Sequence, residues 1–218
     1  MSMPEPGMGG RIHDISQVLG PQTPLWPGEP PFILTRHAQI SESCPVNVGA
    51  LSMPLHAGTH ADAPLHYDRA GVASAACDLT PYIGPCVLLD VTQAGPVVGE
   101  GDIDWDAVNG AERVLLRTYR VFPSDAWDSD FKAIAPAVLR RMGDGGVRLI
   151  GTDAASIDPE QSKTLAAHHA VRTADMRIIE GLVLDGVPPG RYELIALPLK
   201  IHGADASPVR AILREIAA

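Results

Sequence analysis

The chain has 218 residues, 45% of them hydrophobic and 20% charged, with a formal net charge of −9. Those proportions fit one globular α/β domain that buries a core without disulfides. The acidic balance excludes a nucleic-acid or anionic-membrane partner, because phosphate recognition needs clustered Lys and Arg.

No apolar run approaches the roughly 20 residues of a membrane span, and the first residues lack a signal-peptide pattern. Residues 1–10, rich in Pro, Gly and Met, read as a flexible lead-in, and residues 11–218 as a single domain. Cys44, Cys77 and Cys86 form no C-x-x-C pair, so neither a disulfide framework nor a thiolate zinc site is expected. Cys86 lies in an apolar run and reads as a small buried hydrophobe. The simplest location is the cytoplasm.

In chain order, the N-terminal third reads as extended: Ile12–Ile15, Phe32–Ile40 and Val46–Leu55 carry β-branched or alternating patterns between Pro, Gly and Ser. Cys86–Val91 is an apolar run suited to a buried strand, and Asp104–Val108 to a short helix. Arg113–Thr118 and Gly146–Gly151 are further strands. Between them, Ala135–Met142 reads as a helix with Pro136 in its first turn and Gly143 just past its end. Ser162–Arg172 reads as another helix, then Gly181–Asp185 and Tyr192–Pro198 as strands. The chain is expected to close on a helix, with Ser207 as N-cap and Pro208 in the first turn. Strands alternating with helices after an extended first third imply an α/β fold with a mixed, partly barrel-like sheet flanked by helices.

The chemistry concentrates in Leu55-His-Ala-Gly-Thr-His-Ala-Asp-Ala-Pro-Leu-His-Tyr67. His56, His60, Asp62 and His66 all occupy even positions, which an extended chain turns to one face. A helix would pair His56 with His60 and leave Asp62 elsewhere, and Gly58 and Pro64 oppose it. Extended strand running into an irregular loop is the better fit. Imidazole and carboxylate donors suit zinc, manganese or iron, and a carboxylate can bridge two ions. A second ion needs more ligands, for which His168, His169, Glu180 and His202 are the later candidates.

The same stretch resembles the H-x-G-T-H-x-D-x-P-x-H signature of the cyclase-type metal-dependent hydrolases. The resemblance runs from about Asp14 to Arg214. Thr23–Gly28, Ser43–Asn47, Val114–Thr118, Asp158–Lys163, Tyr192–Lys200 and Asp205–Val209 also match. The Trp26-Pro-Gly and Glu193-Leu-Ile-Ala-Leu-Pro-Leu-Lys200 segments favour its kynurenine formamidase (arylformamidase) branch.

That resemblance implies a homodimeric enzyme with two divalent ions per subunit, Zn2+ or alternatively Mn2+, hydrolysing N-formyl-L-kynurenine to L-kynurenine and formate. His56 and His60 would bind one ion and His168 the second, with Asp62 and Glu180 bridging. His66 would be the acid/base group, and Trp26 would line the substrate pocket. His169 and His202 are expected not to be ligands, and His13 and His37 to be surface or structural. Relatives often carry Thr-Pro where this chain has Ala154-Ala155 after Asp153, which is expected to reshape a loop near the site. An isatin-hydrolase-like amidohydrolase and a non-catalytic metal-binding or ligand-binding protein are the alternatives. A Ser-His-Asp hydrolase ranks below both, because no Gly-x-Ser-x-Gly elbow is present.

Overall fold

The computed structural model describes residues 10–216; the rest of the expected lead-in, residues 1–9, lies outside them. In chain order the elements are β1 (Ile12–Asp14), β2 (Ile33–Ala38), β3 (Val48–Ser52), β4 (His60–Asp62), β5 (Ile83–Asp90), β6 (Val97–Val98), α1 (Trp105–Val108), β7 (Arg113–Arg117), β8 (Ala133–Ile134), α2 (Pro136–Asp144), β9 (Leu149–Thr152), α3 (Ala166–Thr173), β10 (Arg177–Glu180), β11 (Gly190–Ile195), β12 (Ala206–Pro208) and β13 (Ile212–Glu215).

Nine strands form one strongly curled mixed sheet in the order β1-β13-β11-β5-β7-β9-β10-β4-β12. Its centre, β5-β7-β9-β10, is parallel. The flanking pairs are antiparallel. The central strands are apolar through their middles, with polar residues at one or both ends, because both their faces are covered there. Val87, Leu89, Val114, Leu116, Ile150 and Ile178 point into a core shared with α2 and α3. Their alternates Leu88, Leu115, Leu149 and Ile179 point into a second core with Ile15, Tyr82 and Leu213. Cys86 is buried in that second core, as expected of a small hydrophobe. β2 and β3 form a hairpin in a two-stranded sheet of their own. No helix among the described residues is long and apolar enough to cross a membrane.

Four local expectations need correction. The C-terminal segment is not a helix: it forms β12 and β13. The Ser207 hydroxyl does not cap a helix; it accepts the Leu199 amide at 2.7 Å and donates to the Pro208 carbonyl. β12 is an edge strand, where proline's missing N–H costs no ladder bond. Val209, Ala211 and Leu213 are buried at every second position, so the burial period here is that of a strand.

The expected strand at 181–185 is also absent. The strand is Arg177–Glu180, and Gly181 ends it at φ +65. A Cβ there would lie 2.4 Å from the Gly58 carbonyl oxygen, so both the backbone angle and the space demand glycine. Leu182 and Leu184 stay buried as an irregular core crossing.

α3 starts at Ala166 rather than Ser162, because Leu165 takes a left-handed conformation (φ 47) and Ser162 Oγ accepts its amide in a preceding turn. Finally, α2 continues through Gly143 to Asp144, with Gly145 at its C-cap. Gly143 is a packing residue: a Cβ on it would stand 2.4 Å from the Ala174 Cβ, at the end of α3.

Candidate metal centre

β4 is only three residues long, and the register of its neighbours builds the site on it. Glu180 of β10 pairs directly with His60, and Ile178 with Asp62. Pairing partners share a face, so His60, Asp62 and Glu180 converge there while Ala61 enters the opposite core. α3 covers this face and brings in His168. His56 arrives from the turn before β4, and His66 from the 3-10 turn at Pro64–His66 that follows it. The expected even-numbered face therefore holds in β4 at His60 and Asp62. Beyond it, Gly58 and Pro64 curl both ends of the segment back toward the same point.

The donor atoms fall into two sets. In the first, His56 Nδ1 is 3.1 Å and His60 Nε2 3.4 Å from Asp62 Oδ1, and His60 Nε2 is 3.4 Å from Glu180 Oε2. In the second, His168 Nε2 is 3.4 Å from Asp62 Oδ2 and 3.8 Å from Glu180 Oε1. Each carboxylate thus offers one oxygen to each set. Ligands at zinc bond lengths of about 2.0–2.1 Å on a tetrahedron stand about 3.3 Å apart, close to most of these separations.

His60 Nε2, His168 Nε2 and both oxygens of Asp62 are buried without a hydrogen-bond partner. Orphaned groups of this kind cost about 1–3 kcal/mol each unless something satisfies them. Divalent cation binding would satisfy such atoms in either donor set, so these residues fit a metal.

The opposite ring nitrogens are fixed. His60 Nδ1 donates to the Gly58 carbonyl at 3.0 Å, and His168 Nδ1 pairs with Asp158 at 2.7 Å. Such partners set the tautomer that leaves Nε2 free for a cation. Asp158 also accepts the amides of Ala167 and His168, tying the first turn of α3 to the same carboxylate.

Electrostatically the cluster is tightly linked. Burial opposes charge on His60 and His168, but Asp62, Glu180 and Asp158 overcome it and push both imidazoles up to about 10. Burial likewise opposes the Asp62 carboxylate, and His168, His56 and His60 together hold it well below the usual range. His56 is raised, Asp62 outweighing burial. Desolvation lowers His66, which favours its neutral form.

His66 is the most open of the set. Its Nδ1 lies 3.6 Å from Asp205 Oδ2, too far for a hydrogen bond, and the same oxygen is 3.3 Å from His56 Nε2. Two groups of donors each lie within 4.8 Å of one another: His60, Asp62 and Glu180, and His56, Asp62 and His66.

His56, His60, His66, His168 and Glu180 line a cavity of about 330 Å³ whose wall includes Trp26. The other expected surface or structural histidines stay out of the cluster. His37, His169 and His202 are exposed, and His13 pairs with Glu215 and packs on Tyr192.

Three features escaped the sequence reading. Asp158 and Asp205 lie in matching segments but carried no spacing signal linking them to a histidine. The loop from Thr118 to Phe131 supplies Tyr119, Phe122 and Trp127 to the cavity. Carboxylates pin it: Asp153 accepts from Thr118 and Tyr119, Asp185 from Phe122, and Glu160 from Trp127. Asp153 itself is buried, which pushes its carboxyl up to about 6 despite those donors. Ala154 is buried and Ala155 lines the cavity.

A curled mixed sheet carrying this buried imidazole–carboxylate cluster defines a metal-dependent hydrolase fold. The family described as putative cyclase matches residues 13–159, and the chain belongs to that family. It is 70% identical over 207 residues to the kynurenine formamidase of Sphingopyxis alaskensis, covering 95% of this chain and 99% of that protein. It is 54% identical to the kynurenine formamidase of Maricaulis maris, over 94% of this chain and 99% of that one. Among solved structures, a potential metal-dependent hydrolase with cyclase activity superposes with a TM-score of 0.81 at 32% identity, covering 95% of this chain and 99% of the other. An isatin hydrolase bound to the product analogue thioisatinate also scores 0.81, at 23% identity over 94% and 92% of the two chains, a likeness of fold.

Proposed function

We propose that this protein is a kynurenine formamidase, hydrolysing the formamide of N-formyl-L-kynurenine to L-kynurenine and formate. What carries the reading is the family's signature folded into a buried donor cluster, in a chain whose relatives bearing that name are 70%, 54% and 52% identical over nearly their whole lengths.

In this reading His56 and His60 would hold one ion and His168 a second, with Asp62 and Glu180 shared between them. The split of the carboxylate oxygens between two donor sets supports that count. Zinc is favoured by the tetrahedral spacing of the imidazoles and carboxylates. When bound, divalent cations supply an activated water and draw charge from a carbonyl oxygen.

The chain's own residues do the rest. Trp26 bounds the cavity where the aryl ring sits. His66, outside the deepest donor set and neutral near pH 7, takes the proton released by the attacking water. It then delivers that proton to the anilide nitrogen, a poor leaving group until protonated.

A homodimer in the cytoplasm completes the proposal. The β2–β3 hairpin leaves Ile33, Leu34, Val48 and Leu51 about half exposed. A lone two-stranded ribbon is marginal in water, and a second copy would cover it.

The test is turnover of N-formyl-L-kynurenine against isatin by purified protein, before and after chelation. Chelation should abolish formamidase activity and zinc restore it; full activity in metal-free protein, or preference for isatin, refutes the reading. His66→Ala should keep its metal and lose about 10²–10⁴ in kcat. Loss of metal with a normal rate per bound ion would instead make His66 a ligand.

A further inference from the structure

We infer that Trp127 forms, together with Trp26, the slot that receives the substrate's aromatic ring, and that Glu160 is the positioning residue that sets the tilt of the Trp127 indole. This rests on the functional reading above and names the residues that give it an aryl preference.

Both indoles line the cavity that contains His66 and His168. Their centroids are 5.2 Å apart at 67°, an edge-to-face pair. Phe131, buried, sits 6.2 Å from each ring and backs them both. Aromatic rings prefer edge-to-face or offset contacts. The angle between two such indoles therefore offers a third ring the face of one and the edge of the other.

The Trp127 indole N–H is committed: it donates to Glu160 Oε1 at 2.7 Å, a charge-assisted bond. Glu160 Oε2 is in turn held by the Gln161 amide at 3.0 Å. With its one polar atom engaged, what Trp127 presents to the cavity is hydrocarbon, matched to an aryl group rather than to a polar chain. Among the described residues the indole N–H has no other partner, so Glu160 is the polar contact that, with the packing on Trp26 and Phe131, sets its angle.

The experiment uses the zinc-loaded enzyme, with steady-state kinetics on N-formyl-L-kynurenine, calorimetric binding of L-kynurenine, and metal content. Trp127→Ala should raise KM and the product Kd about 10-fold or more, with kcat within about 3-fold and metal content unchanged. Trp127→Phe should recover most of that loss. Glu160→Ala should raise KM about 3- to 10-fold without lowering kcat, whereas Glu160→Gln, which keeps an acceptor for the indole N–H, should stay near wild type.

Wild-type KM and Kd in Trp127→Ala overturn the slot. Equal behaviour of Glu160→Ala and wild type overturns the positioning role. Should Trp127→Ala not fold, Trp127→Leu, apolar but ringless, carries the same expectation and the same refutation. An enzyme that hydrolyses N-formyl-L-kynurenine yet is indifferent at position 127 sinks this inference alone; one that hydrolyses no N-formyl aryl amine sinks the functional reading as well.

Discussion

The floor and the wall of the cavity are built by different means. The floor, His60, Asp62, Glu180 and His168, sits on β4, β10 and α3 and is buried throughout. The wall is Trp26 and the Thr118–Phe131 loop, which forms no strand or helix and is held by hydrogen bonds to the carboxylates of Asp153, Asp185 and Glu160. Backbone register fixes donor atoms within a few tenths of an ångström, which a cation requires. A loop pinned at a few points can change its lining residues without disturbing that register, which suits it to substrate selection.

The sharpest way to break this contrast is to strike the floor. Asp62→Ala removes the carboxylate common to both donor sets, so metal content should fall and formamidase activity with it, read by elemental analysis and turnover on one sample. Retained stoichiometric metal would mean that the floor does not depend on its central carboxylate.

Asp158→Ala tests the layer behind the floor. Freed of its partner, His168 should bind metal about 10- to 100-fold more weakly, measured by competition with a chelator.

On the wall, Trp26→Ala should leave metal affinity untouched and raise KM by about 10-fold; a fall in metal content instead would erase the distinction between the two regions.

The smallest effect concerns Asp153, the anchor of the loop. Its carboxyl is raised from 3.8 to about 6 by burial. The fold therefore binds that proton more tightly than the unfolded chain does. Its stabilising contribution is complete below the unfolded value and is lost as pH rises through about 6. Asp153→Asn has no such proton, so wild type minus variant Tm should shrink by roughly a few degrees between pH 4.5 and pH 7.5. A constant difference would show that Asp153 titrates normally.

The same contrast explains what could be read in advance. His60 and Asp62 alternate in the chain as they do in β4, and the apolar runs of β5, β7 and β9 identify strands covered on both faces. Such local periodicities survive folding. Ser207-Pro208 carries an equally local signal, yet the hydroxyl finds the Leu199 amide, and tertiary pairing makes an edge strand of an apparent helix start. Asp158 reaching His168, and Glu160 reaching Trp127, are contacts between side chains that only the finished chain path brings together. No spacing rule announces them.

Gly143 sits on α2, meets Ala174 at the end of α3, and has no chemistry of its own. Even a methyl group there would wedge the end of α3 away from α2. Because His168 rides on α3, the displacement would reach its imidazole while every donor residue remained in place. The enzyme can therefore be silenced from behind, by a change that a survey of active-site residues would pass over.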